Sequence, residues 1–544
     1  MRFLQVFVVL LLSSALFAQK ADKLLSAEMD NVIREQFSDP KGPGCVALVA
    51  RQGKVIYHKA FGMNEVESAK PLQTDMVFRI GSVTKQFTAV GILQLVDEGK
   101  IGLSDEMQQF LENCPEAWKT VTVEQLLNHT SGIHSYTSMA EFDNEFQGKA
   151  LSVNGLIDFF KNEPLDFPPG NAYAYSNSGY VLLGYIIEKV SGQTYADFLQ
   201  KRFFTPLGLK NTYYDTDGLK IDKRVQGYDP DMDTIARAAF LSMSLPYAAG
   251  SICANAEDLL RWTTSLHSGK LLSDRLYRKA CSAGILPSGE SIHYGYGLMI
   301  GSVLGSPTVE HGGSINGFLS HVLYLPKEQI CAVVLSNCTC QSPDAVAAKI
   351  AALAAGKRLK PDAIAVSDLK IYEGVFVKGE LERYIRVNEN GVLTSQRKGG
   401  PVFKLTPFEA DNFMFDSGLA TGKFKRDAAG KITEIAVSDR VAEASVWTKT
   451  DKALPELPKE ILLNEADLKP FTGIYQLVPG FDITVTQQGK RLFIQATGQQ
   501  SIEMFARTPT RFFAKEVDAE IEFSPENNSF ILFQNGQEME AKRK

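Results

Sequence analysis

The sequence has no block of basic residues. Lysine and arginine total 57 against 63 aspartate and glutamate residues, so the 544-residue chain carries a formal net charge of -6. Nucleic-acid binding depends on clustered positive charge that contacts phosphates. The charge balance therefore argues against nucleic acid as a partner, while a hydrophobic fraction of 44% and a charged fraction of 22% are typical of globular proteins.

The sequence also lacks paired cysteines. Its seven cysteines are odd in number, scattered, and without the Cys-x-x-Cys spacing typical of zinc sites. We therefore expect neither a metal site nor a disulfide framework. Cys45 and Cys331 lie in apolar, strand-like runs, where a cysteine behaves as a small apolar side chain. Cys338 and Cys340 are close enough in sequence to ligate or to pair, but we do not expect them to.

Long apolar runs are missing after the N-terminus, so no later segment is expected to span a membrane. Arg2, an apolar run over residues 3–12 and small residues up to Ala18 resemble a secretory signal sequence cut near Ala18. An uncleaved anchor is the alternative, which the short apolar run disfavours because a span needs about 20 residues. We expect a secreted or periplasmic protein without a stable membrane span after cleavage. The sequence leaves its oligomeric state open.

The segment from Ser82 to Gly99 is the strongest local signal. It is apolar on nearly every side and predicts a buried helix. Residues three apart share a helix face, so Ser82 and Lys85 should point into the same space as a nucleophile and its potential base. Ser-x-x-Lys occurs four times in the chain, and only this copy opens a long apolar helix. We also expect Ser82 to cap that helix.

A second polar segment is Tyr175-Ser176-Asn177, the only Tyr-x-Asn in the chain. It precedes a predicted helix over residues 179–190, so the loop can direct two polar side chains into a cleft. Tyrosine acts as a base near neutral pH only where nearby cations favour the phenolate, and Lys85 is one candidate. The alternative is structural: Tyr175 fills a core and Asn177 caps the helix.

A third segment is Glu310-His311-Gly312-Gly313-Ser314. A lone histidine is more often structural than catalytic. The two glycines, however, allow a substrate backbone to approach and pair with a sheet edge, and the predicted strands after Phe318 supply the sheet.

The apolar patterns predict one antiparallel sheet completed from both ends of the first domain around a helical insert. A hairpin is expected at residues 44–50 and 54–60, later strands at 295–300, 318–325 and 330–336, and a helix at 344–355. Residues 356–366 read as a linker. Beyond it, residues 369–376 recur at 468–475, an offset of 99 residues, and the alternating segments that follow each copy predict two small antiparallel barrels.

Three motifs resemble, in order and spacing, those of the class C β-lactamase and D-alanyl-D-alanine carboxypeptidase superfamily: Ser82-Val83-Thr84-Lys85, Tyr175-Ser176-Asn177 and His311-Gly312-Gly313. Residues 126–133 and 249–251 are also similar to recurrent segments of that superfamily. The resemblance covers about residues 25–355. With two C-terminal barrels, the layout is similar to that of D-aminopeptidases in the same superfamily.

The resemblance implies an α/β (α+β) β-lactamase-like fold with the site between the sheet and the helical region, and no metal or organic cofactor. It implies that the backbone N–H groups of Ser82 and Ser314 form an oxyanion hole. The implied side-chain roles are nucleophile for Ser82, proton transfer for Lys85 and Tyr175, adjustment of the charge near Tyr175 for His311, and substrate binding for Asn177, Gly312, Gly313 and Ser314.

The expected domains are a signal peptide (1–18), a β-lactamase-like serine hydrolase domain (19–357) and two barrel repeats (366–452 and 460–544). We expect a secreted hydrolase that cleaves amide or ester bonds, in small or D-amino acid-containing peptides, through an acyl-serine intermediate. The alternatives are a non-catalytic penicillin-binding-like protein that binds peptidoglycan fragments, a β-lactamase proper, and an adhesion module built on the barrels. Typical β-lactamases carry lysine and threonine where this chain has His311 and Gly312, so weak β-lactam hydrolysis is expected.

Overall fold

The computed structural model describes residues 23–544, except 143–145, 232–233, 360–364, 366, 417–418, 441, 457–458, 479–480, 498–500, 516, 518 and 535–536. The predicted secretory segment, residues 1–18, lies outside these described residues. The chain forms two compact units whose main boundary in the sequence follows Leu359. In the described part of the chain, no helix is both long and apolar enough to cross a membrane.

Helices and short strands alternate up to residue 359. The helices are α1 (residues 23–36), α2 (Thr84–Asp97), α3 (Val123–Leu127), α4 (Val153–Phe160), α5 (Asn177–Ser191), α6 (Tyr195–Leu199), α7 (Tyr247–Gly250), α8 (Ala256–His267), α9 (Asp274–Ala280) and α10 (Asp344–Ala354). The strands are β1 (Cys45–Arg51), β2 (Lys54–Phe61), β3 (Met63–Glu65), β4 (Lys70–Pro71), β5 (Phe78–Arg79), β6 (Tyr213–Tyr214), β7 (Tyr228–Asp231), β8 (Thr234–Arg237), β9 (Ile252–Ala254), β10 (Met299–Val303), β11 (Ser306–Ile315), β12 (Phe318–Leu325) and β13 (Ile330–Ser336).

The main sheet is antiparallel and has the strand order β10-β11-β12-β13-β1-β2. β13 pairs with β1 from Cys45 opposite Ser336 to Arg51 opposite Ile330, so strands from both ends of the unit form one sheet. This confirms the predicted layer and its two hairpins. The sequence patterns did not predict β11, because proline and paired glycines interrupt its apolar alternation.

Helix α2 is buried along nearly its whole length and packs with α5 and α7. Phe87 stacks on Trp262 with ring centroids 3.8 Å apart, and the Trp262 indole N–H donates to Gln86 Oε1 at 2.9 Å. Thr88 donates to the Ala248 carbonyl at 2.6 Å. α2 can occupy the core because most of its side chains are apolar and its few polar side chains form hydrogen bonds inside the protein.

The second unit contains two closed eight-stranded antiparallel barrels, and these confirm the predicted fold class. The first barrel contains β14 (Gly374–Lys378), β15 (Leu381–Val387), β16 (Leu393–Arg397), β17 (Val402–Glu409), β18 (Asn412–Phe415), β19 (Thr421–Arg426), β20 (Ile432–Asp439) and β21 (Ala442–Lys449). The short helix α11 (Glu465–Leu468) precedes the second barrel, which contains β22 (Gly473–Val478), β23 (Phe481–Gln488), β24 (Arg491–Ala496), β25 (Ile502–Ala506), β26 (Arg511–Ala514), β27 (Ala519–Ser524), β28 (Ser529–Gln534) and β29 (Gln537–Arg543).

The internal repeat extends beyond the segment visible in the sequence. In the first barrel, Tyr372 contacts Phe424 with ring centroids 4.7 Å apart. In the second, Phe471 contacts Phe523 at 4.4 Å. Both residues of the second pair stand 99 positions after those of the first. The two barrels therefore share an aromatic cluster as well as a strand order.

One cysteine expectation is wrong. The structure joins Cys338 and Cys340 in a disulfide that spans a single intervening residue. The other five cysteines are free, and Cys45 and Cys331 are buried in strands as expected. The strand β13 ends at Ser336, and the turn that follows brings the two sulfurs together.

Candidate active site

Ser82 lies in a short 3-10 turn, Gly81–Val83, that leads directly into α2. The N-cap of α2 is Val83 and no side chain caps the helix, so the expectation that Ser82 caps it is wrong. Gly81 has φ +48°, and a Cβ there would lie 2.9 Å from both the backbone N and O of Ser314. The turn that carries Ser82 can therefore lie this close to β11 only with glycine at position 81.

Lys85 projects from the first turn of α2 and is fully buried. Its Nζ lies 3.1 Å from Ser82 Oγ, 2.8 Å from Asn177 Oδ1 and 2.9 Å from the carbonyl oxygen of Ala249. Burial holds the pKa of Lys85 well below its ordinary value. The lysine is thus surrounded by hydrogen-bond acceptors in an environment that favours the neutral amine.

Tyr175 and Asn177 lie at the start of α5, whose N-cap is the residue between them. Ser176 Oγ accepts from the backbone N–H of Gly179 at 3.2 Å, which frees Asn177 from capping. The Asn177 amide instead donates to Thr137 Oγ1 at 3.0 Å, while its oxygen accepts from Lys85. The structural alternative for Asn177 is therefore wrong.

Tyr175 lies beside both residues of the first motif. Lys85 Nζ is 4.8 Å from the Tyr175 ring centroid. Desolvation raises the pKa of Tyr175 although 37% of the residue is exposed, and the nearby Ser82 side chain only partly opposes this rise. These surroundings favour a neutral phenol, and they disfavour the phenolate that the sequence left open.

His311 lies on β11 and is buried. Its Nδ1 lies 2.6 Å from the Gly312 carbonyl oxygen, so Nδ1 carries the proton, and Nε2 accepts from the Tyr294 hydroxyl at 2.8 Å. Burial lowers the pKa of His311 to about 3. His311 is therefore a neutral imidazole whose orientation is fixed by both nitrogens. The sequence analysis missed Tyr294, because an isolated tyrosine carries no spacing signal.

His129 is a second residue that the sequence did not single out as a site residue. It follows α3, which begins with a capping box between Thr122 and Gln125. His129 is 1% exposed, and its Nδ1 accepts from the Ser176 backbone N–H at 3.1 Å. Its ring lies 4.3 Å from that of Tyr175. Its Nε2 hydrogen-bonds to none of the residues that the structure describes. His129 thus supports the backbone between Tyr175 and Asn177.

Gly312 and Gly313 have different surroundings. A Cβ at Gly313 would lie 2.0 Å from the Ile80 carbonyl oxygen, whereas one at Gly312 would lie 3.3 Å from the nearest atom, His321 Nδ1. β10 pairs with β11 only up to Glu310, so within the described ranges no strand pairs with the other side of residues 311–315. Gly313 allows close packing of the turn that carries Ser82, and both glycines lie in a part of β11 whose other edge is open beside the site.

A salt-bridge cluster anchors the strand that precedes Ser82. Asp215 is fully buried and binds Arg224 through both carboxylate oxygens, at 2.8 and 2.6 Å. Arg79 Nε donates to the same carboxylate at 3.0 Å. Burial raises the pKa of Asp215, but the two guanidinium groups outweigh it and hold the pKa below its ordinary value.

One group among the described residues has the composition of a metal site: Glu310, His321 and Asp344. Its buried members are already paired, because His321 Nε2 lies 2.6 Å from Glu310 Oε2 and Thr308 donates to Glu310 Oε1 at 2.7 Å. Glu310 precedes His311 on β11, and neighbouring strand residues face opposite sides of a sheet. The group therefore lies on the side away from Ser82.

Lys85 contacts Ser82, Asn177 and the Tyr175 ring, and the His311 ring lies 6.2 Å from the Tyr175 ring, so the three sequence motifs meet at one place. The beta-lactamase family matches residues 29–357, which is more than half of the chain. The chain belongs to the beta-lactamase family, as its motifs suggested. A second match, to a domain of unknown function (DUF3471), covers residues 457–541 and so includes all but the last two residues of the second barrel.

Among curated proteins, the chain is similar to penicillin-binding protein 4* of Bacillus subtilis, with 26% identity over 515 residues that cover 91% of this chain and 94% of that protein. It is also 26% identical to the D-aminopeptidase of Brucella anthropi over 316 residues, which cover 58% of this chain and 60% of the relative. The similarity to the second protein is therefore confined to part of each chain.

Two solved structures are similar in fold. The octameric penicillin-binding protein homologue from Pyrococcus abyssi superposes with a TM-score of 0.55 at 24% identity, covering 95% of this chain and 99% of that one. The D-stereospecific amidohydrolase from Streptomyces sp. superposes with a TM-score of 0.53 at 26% identity, covering 61% of this chain and 99% of that one.

Proposed function

We propose that this protein is a serine hydrolase that cleaves amide or ester bonds, in small or D-amino acid-containing peptides, through an acyl-serine intermediate. The observation that carries the proposal is the fully buried Lys85 amine, 3.1 Å from Ser82 Oγ, whose pKa burial holds far below that of an exposed lysine. A lysine that is neutral at neutral pH can accept a proton, as activation of a serine requires.

The hydrogen bonds of Lys85 define its role in the first step. A neutral amine has two N–H bonds and one lone pair. Asn177 Oδ1 and the Ala249 carbonyl accept the two N–H bonds at 2.8 and 2.9 Å, which leaves the lone pair directed at Ser82 Oγ. As Ser82 Oγ bonds to the substrate carbonyl carbon, its proton passes to Lys85, and the carbonyl electron pair moves onto the substrate oxygen.

The backbone N–H groups of Ser82 and Ser314 are the candidates to stabilise that oxygen. The close approach of Gly81 to the Ser314 backbone, where a Cβ would lie 2.9 Å from the Ser314 nitrogen, supports this assignment because it holds the turn against β11. Two fixed N–H donors stabilise a developing oxyanion more than water does, because they do not have to reorient during the reaction.

Tyr175 is the proposed donor to the leaving group. Desolvation keeps the pKa of its phenol above the ordinary value, so the phenol is neutral and carries a proton that it can give up. When the tetrahedral intermediate collapses, the phenol O–H gives its proton to the leaving nitrogen or oxygen. The proton held by Lys85 then returns to the phenolate through the hydrogen-bonded groups. Water repeats the sequence in the second half-reaction and releases the acid.

Substrate choice follows from the third motif and from the relatives. His311 is neutral, because burial lowers its pKa to about 3, so it offers no cation to a free substrate carboxylate. We therefore propose that β-lactams, whose recognition depends on such a carboxylate, are poor substrates. The relatives named for D-aminopeptidase and D-stereospecific amidohydrolase activity support small D-amino acid amides or peptides instead.

The proposed location is the periplasm or the medium, on the basis of the signal-like segment ending near Ala18. Expression of the full-length chain in a bacterial host, followed by N-terminal sequencing of the exported protein, tests this proposal. A protein that stays in the cytosol with residue 2 intact would contradict it.

A labelling experiment tests the catalytic proposal. A fluorophosphonate or fluorescent penicillin probe should label the wild type and fail to label Ser82→Ala. The same preparations are then assayed on p-nitrophenyl esters, D-amino acid amides, acyl-D-Ala-D-Ala peptides and a penicillin. Labelling that survives in Ser82→Ala removes Ser82 from its role. Labelling of the wild type without turnover of any substrate favours a non-catalytic binder, and turnover of penicillin equal to the best amide or ester identifies a β-lactamase proper.

A further inference from the structure

The first barrel contains a polar and aromatic layer where an apolar core is expected. We call Arg383, Ser395, Arg397 and Trp447 the Arg383 layer. Arg383 on β15 and Arg397 on β16 lie directly opposite each other in the strand register. Their guanidinium carbons lie 4.6 and 5.7 Å from the centroid of the Trp447 ring. Like charges that face each other across two strands destabilise a sheet, so this arrangement needs a compensating interaction.

The described residues do not provide a counter-ion for it. Arg383 is 3% exposed, and its Nη1 donates to Ser395 Oγ at 2.7 Å, but its Nε is buried without any described hydrogen-bond partner. The described ion pairs of this barrel are formed by other basic side chains. Burial, and next the neighbouring charge of Arg397, lowers the pKa of Arg383 to about 10. A buried charge is normally paired, because removing it from water is costly.

The second barrel shows that the fold does not require this layer. Phe376 and Tyr475, which stand 99 residues apart, pair with Arg383 and Ile483 respectively. Arg383 pairs in turn with Arg397, and Ile483 with Ala496. The second barrel thus has apolar side chains where the first has two arginines.

The same comparison holds for the other two members. Trp447 stands two residues before Lys449, which pairs with Phe376. Ala541 stands two residues before Arg543, which pairs with Tyr475, so Ala541 corresponds to Trp447. In the same way, Ser395 stands two residues before Arg397 and Ile494 stands two residues before Ala496, so Ser395 corresponds to Ile494. A barrel of the same strand order therefore closes on isoleucine and alanine alone at these four positions.

We propose that the Arg383 layer is a binding site for a small ligand that carries a carboxylate or a phosphate. Nη1 is engaged by Ser395, which leaves the Nε–Nη2 edge of Arg383 to bind two ligand oxygens side by side. Arg397 is exposed and supplies a second positive charge on the solvent side. The Trp447 ring, which is 1% exposed, lies against both guanidinium groups and holds them in place.

The test is a titration of the full-length protein with benzoate and with inorganic phosphate at constant ionic strength, and benzamide serves as the neutral analogue of benzoate. Calorimetry measures binding, and tryptophan fluorescence reports on the site because Trp447 is one of only three tryptophans in the chain. We expect saturable binding of at least one anion and none of benzamide. The stronger of the two anions identifies the ligand class as carboxylate or phosphate.

Two variants assign the binding to this layer. Arg383→Ile installs the residue of the second barrel and should weaken anion binding at least 10-fold. Arg491→Ala removes one exposed positive charge from the second barrel, where it lies 3.5 Å from Glu503, and should leave binding unchanged. Ser82→Ala should also bind normally, which separates this site from hydrolysis.

Thermal unfolding shows whether a loss of binding reflects a loss of fold. Arg383→Ile should unfold at the same temperature as the wild type or higher, because replacing an unpaired buried charge with an apolar side chain is often neutral or stabilising. The proposal is overturned if the wild type binds neither anion saturably at tens of millimolar, or if Arg383→Ile binds with wild-type affinity. If Arg383→Ile fails to bind the anion and also unfolds at a lower temperature than the wild type, the stack of arginine and tryptophan is structural and the proposal is overturned.

Discussion

The contrast between Gly313 and Gly312 gives the sharpest test of how β11 supports the nucleophile. In Gly313→Ala the new Cβ would lie 2.0 Å from the Ile80 carbonyl oxygen and 2.5 Å from Ser320 Oγ, which itself donates to that carbonyl at 2.8 Å. Real Cβ contacts of this kind need well over 3 Å, so the turn that carries Ser82 must move away from β11 by about 1 Å. The Ile80 carbonyl oxygen belongs to the backbone, so rotation of a side chain cannot relieve the contact.

The expected magnitude follows from that displacement. A misplacement of about 1 Å in a catalytic arrangement costs about 100-fold in rate, which corresponds to about 2.7 kcal/mol of transition-state stabilisation. Overpacking should also lower the free energy of unfolding by about 1–3 kcal/mol. In Gly312→Ala the nearest atom is His321 Nδ1 at 3.3 Å, so a shift of a few tenths of an ångström suffices, and we expect less than about a threefold change in rate.

The assay is kcat/KM for the best ester or amide substrate, together with the rate of probe labelling, on variants that circular dichroism shows to be folded at the assay temperature. Gly312→Ala is the matched control, because it adds the same methyl group one residue away. If folded Gly313→Ala keeps wild-type kcat/KM within threefold, the close packing between the Ser82 turn and β11 does not position the nucleophile, and the reasoning is refuted.

Three further predictions concern protons and charge. Lys85→Ala and Tyr175→Phe should each slow acylation by at least about 100-fold while the fold persists, measured as labelling rate against thermal unfolding; normal labelling of either variant contradicts its role in proton transfer. His311 stays neutral in the folded protein down to pH about 3 and titrates near 6.5 when unfolded, so it contributes stability above that range that is lost as the pH falls from 6.5 towards 3. The free energy of unfolding of His311→Asn, measured with denaturant, should therefore decrease less steeply than that of the wild type as the pH is lowered from 6 to 4, by about 1.4 kcal/mol per pH unit. Equal slopes in variant and wild type would refute the buried neutral imidazole. Asp215→Asn should lower the free energy of unfolding at pH 7 by about 3–5 kcal/mol, because it leaves two arginines without their buried partner, and the loss should shrink below pH 4 as the wild-type carboxylate takes up a proton; a change under 1 kcal/mol at pH 7 would show that the cluster is not structural.

The contact between Ser82 and Lys85 was predictable because residues three apart along a helical segment lie on the same face, and this spacing can be read directly from the sequence. The strands β1, β12 and β13 were likewise predictable from continuous apolar runs. Their pairing into one sheet followed from the absence of strand patterns in the long helical segment between them.

The supporting residues were not predictable for an equally physical reason. Tyr294 and His129 act through contacts across the site, with His311 and with the Ser176 backbone, and neither contact fixes a distance in sequence. β11 was missed because its proline and paired glycines interrupt the apolar alternation, and the packing of the Ser82 turn requires one of those glycines, Gly313. The role of Ser82 as a helix cap was wrong because the chain makes a 3-10 turn before α2 and directs the hydroxyl towards Lys85 instead.

The two barrels also face a folding problem that arises from their likeness. Neighbouring domains with the same strand order can exchange strands during folding and become trapped in misassembled states. If β23 replaced β15 in the first barrel, Ile483 would stand opposite Arg397; the reverse exchange would bury Arg383 against Ala496 and Ala541, without the hydroxyl of Ser395 or the ring of Trp447. The interior of the first barrel thus distinguishes its own strands from those of its repeat. A chain carrying Arg383→Ile and Arg397→Ala should accordingly refold in lower yield from denaturant, although its native state is no less stable, and an unchanged yield would show that the interior layer plays no part in keeping the repeats apart.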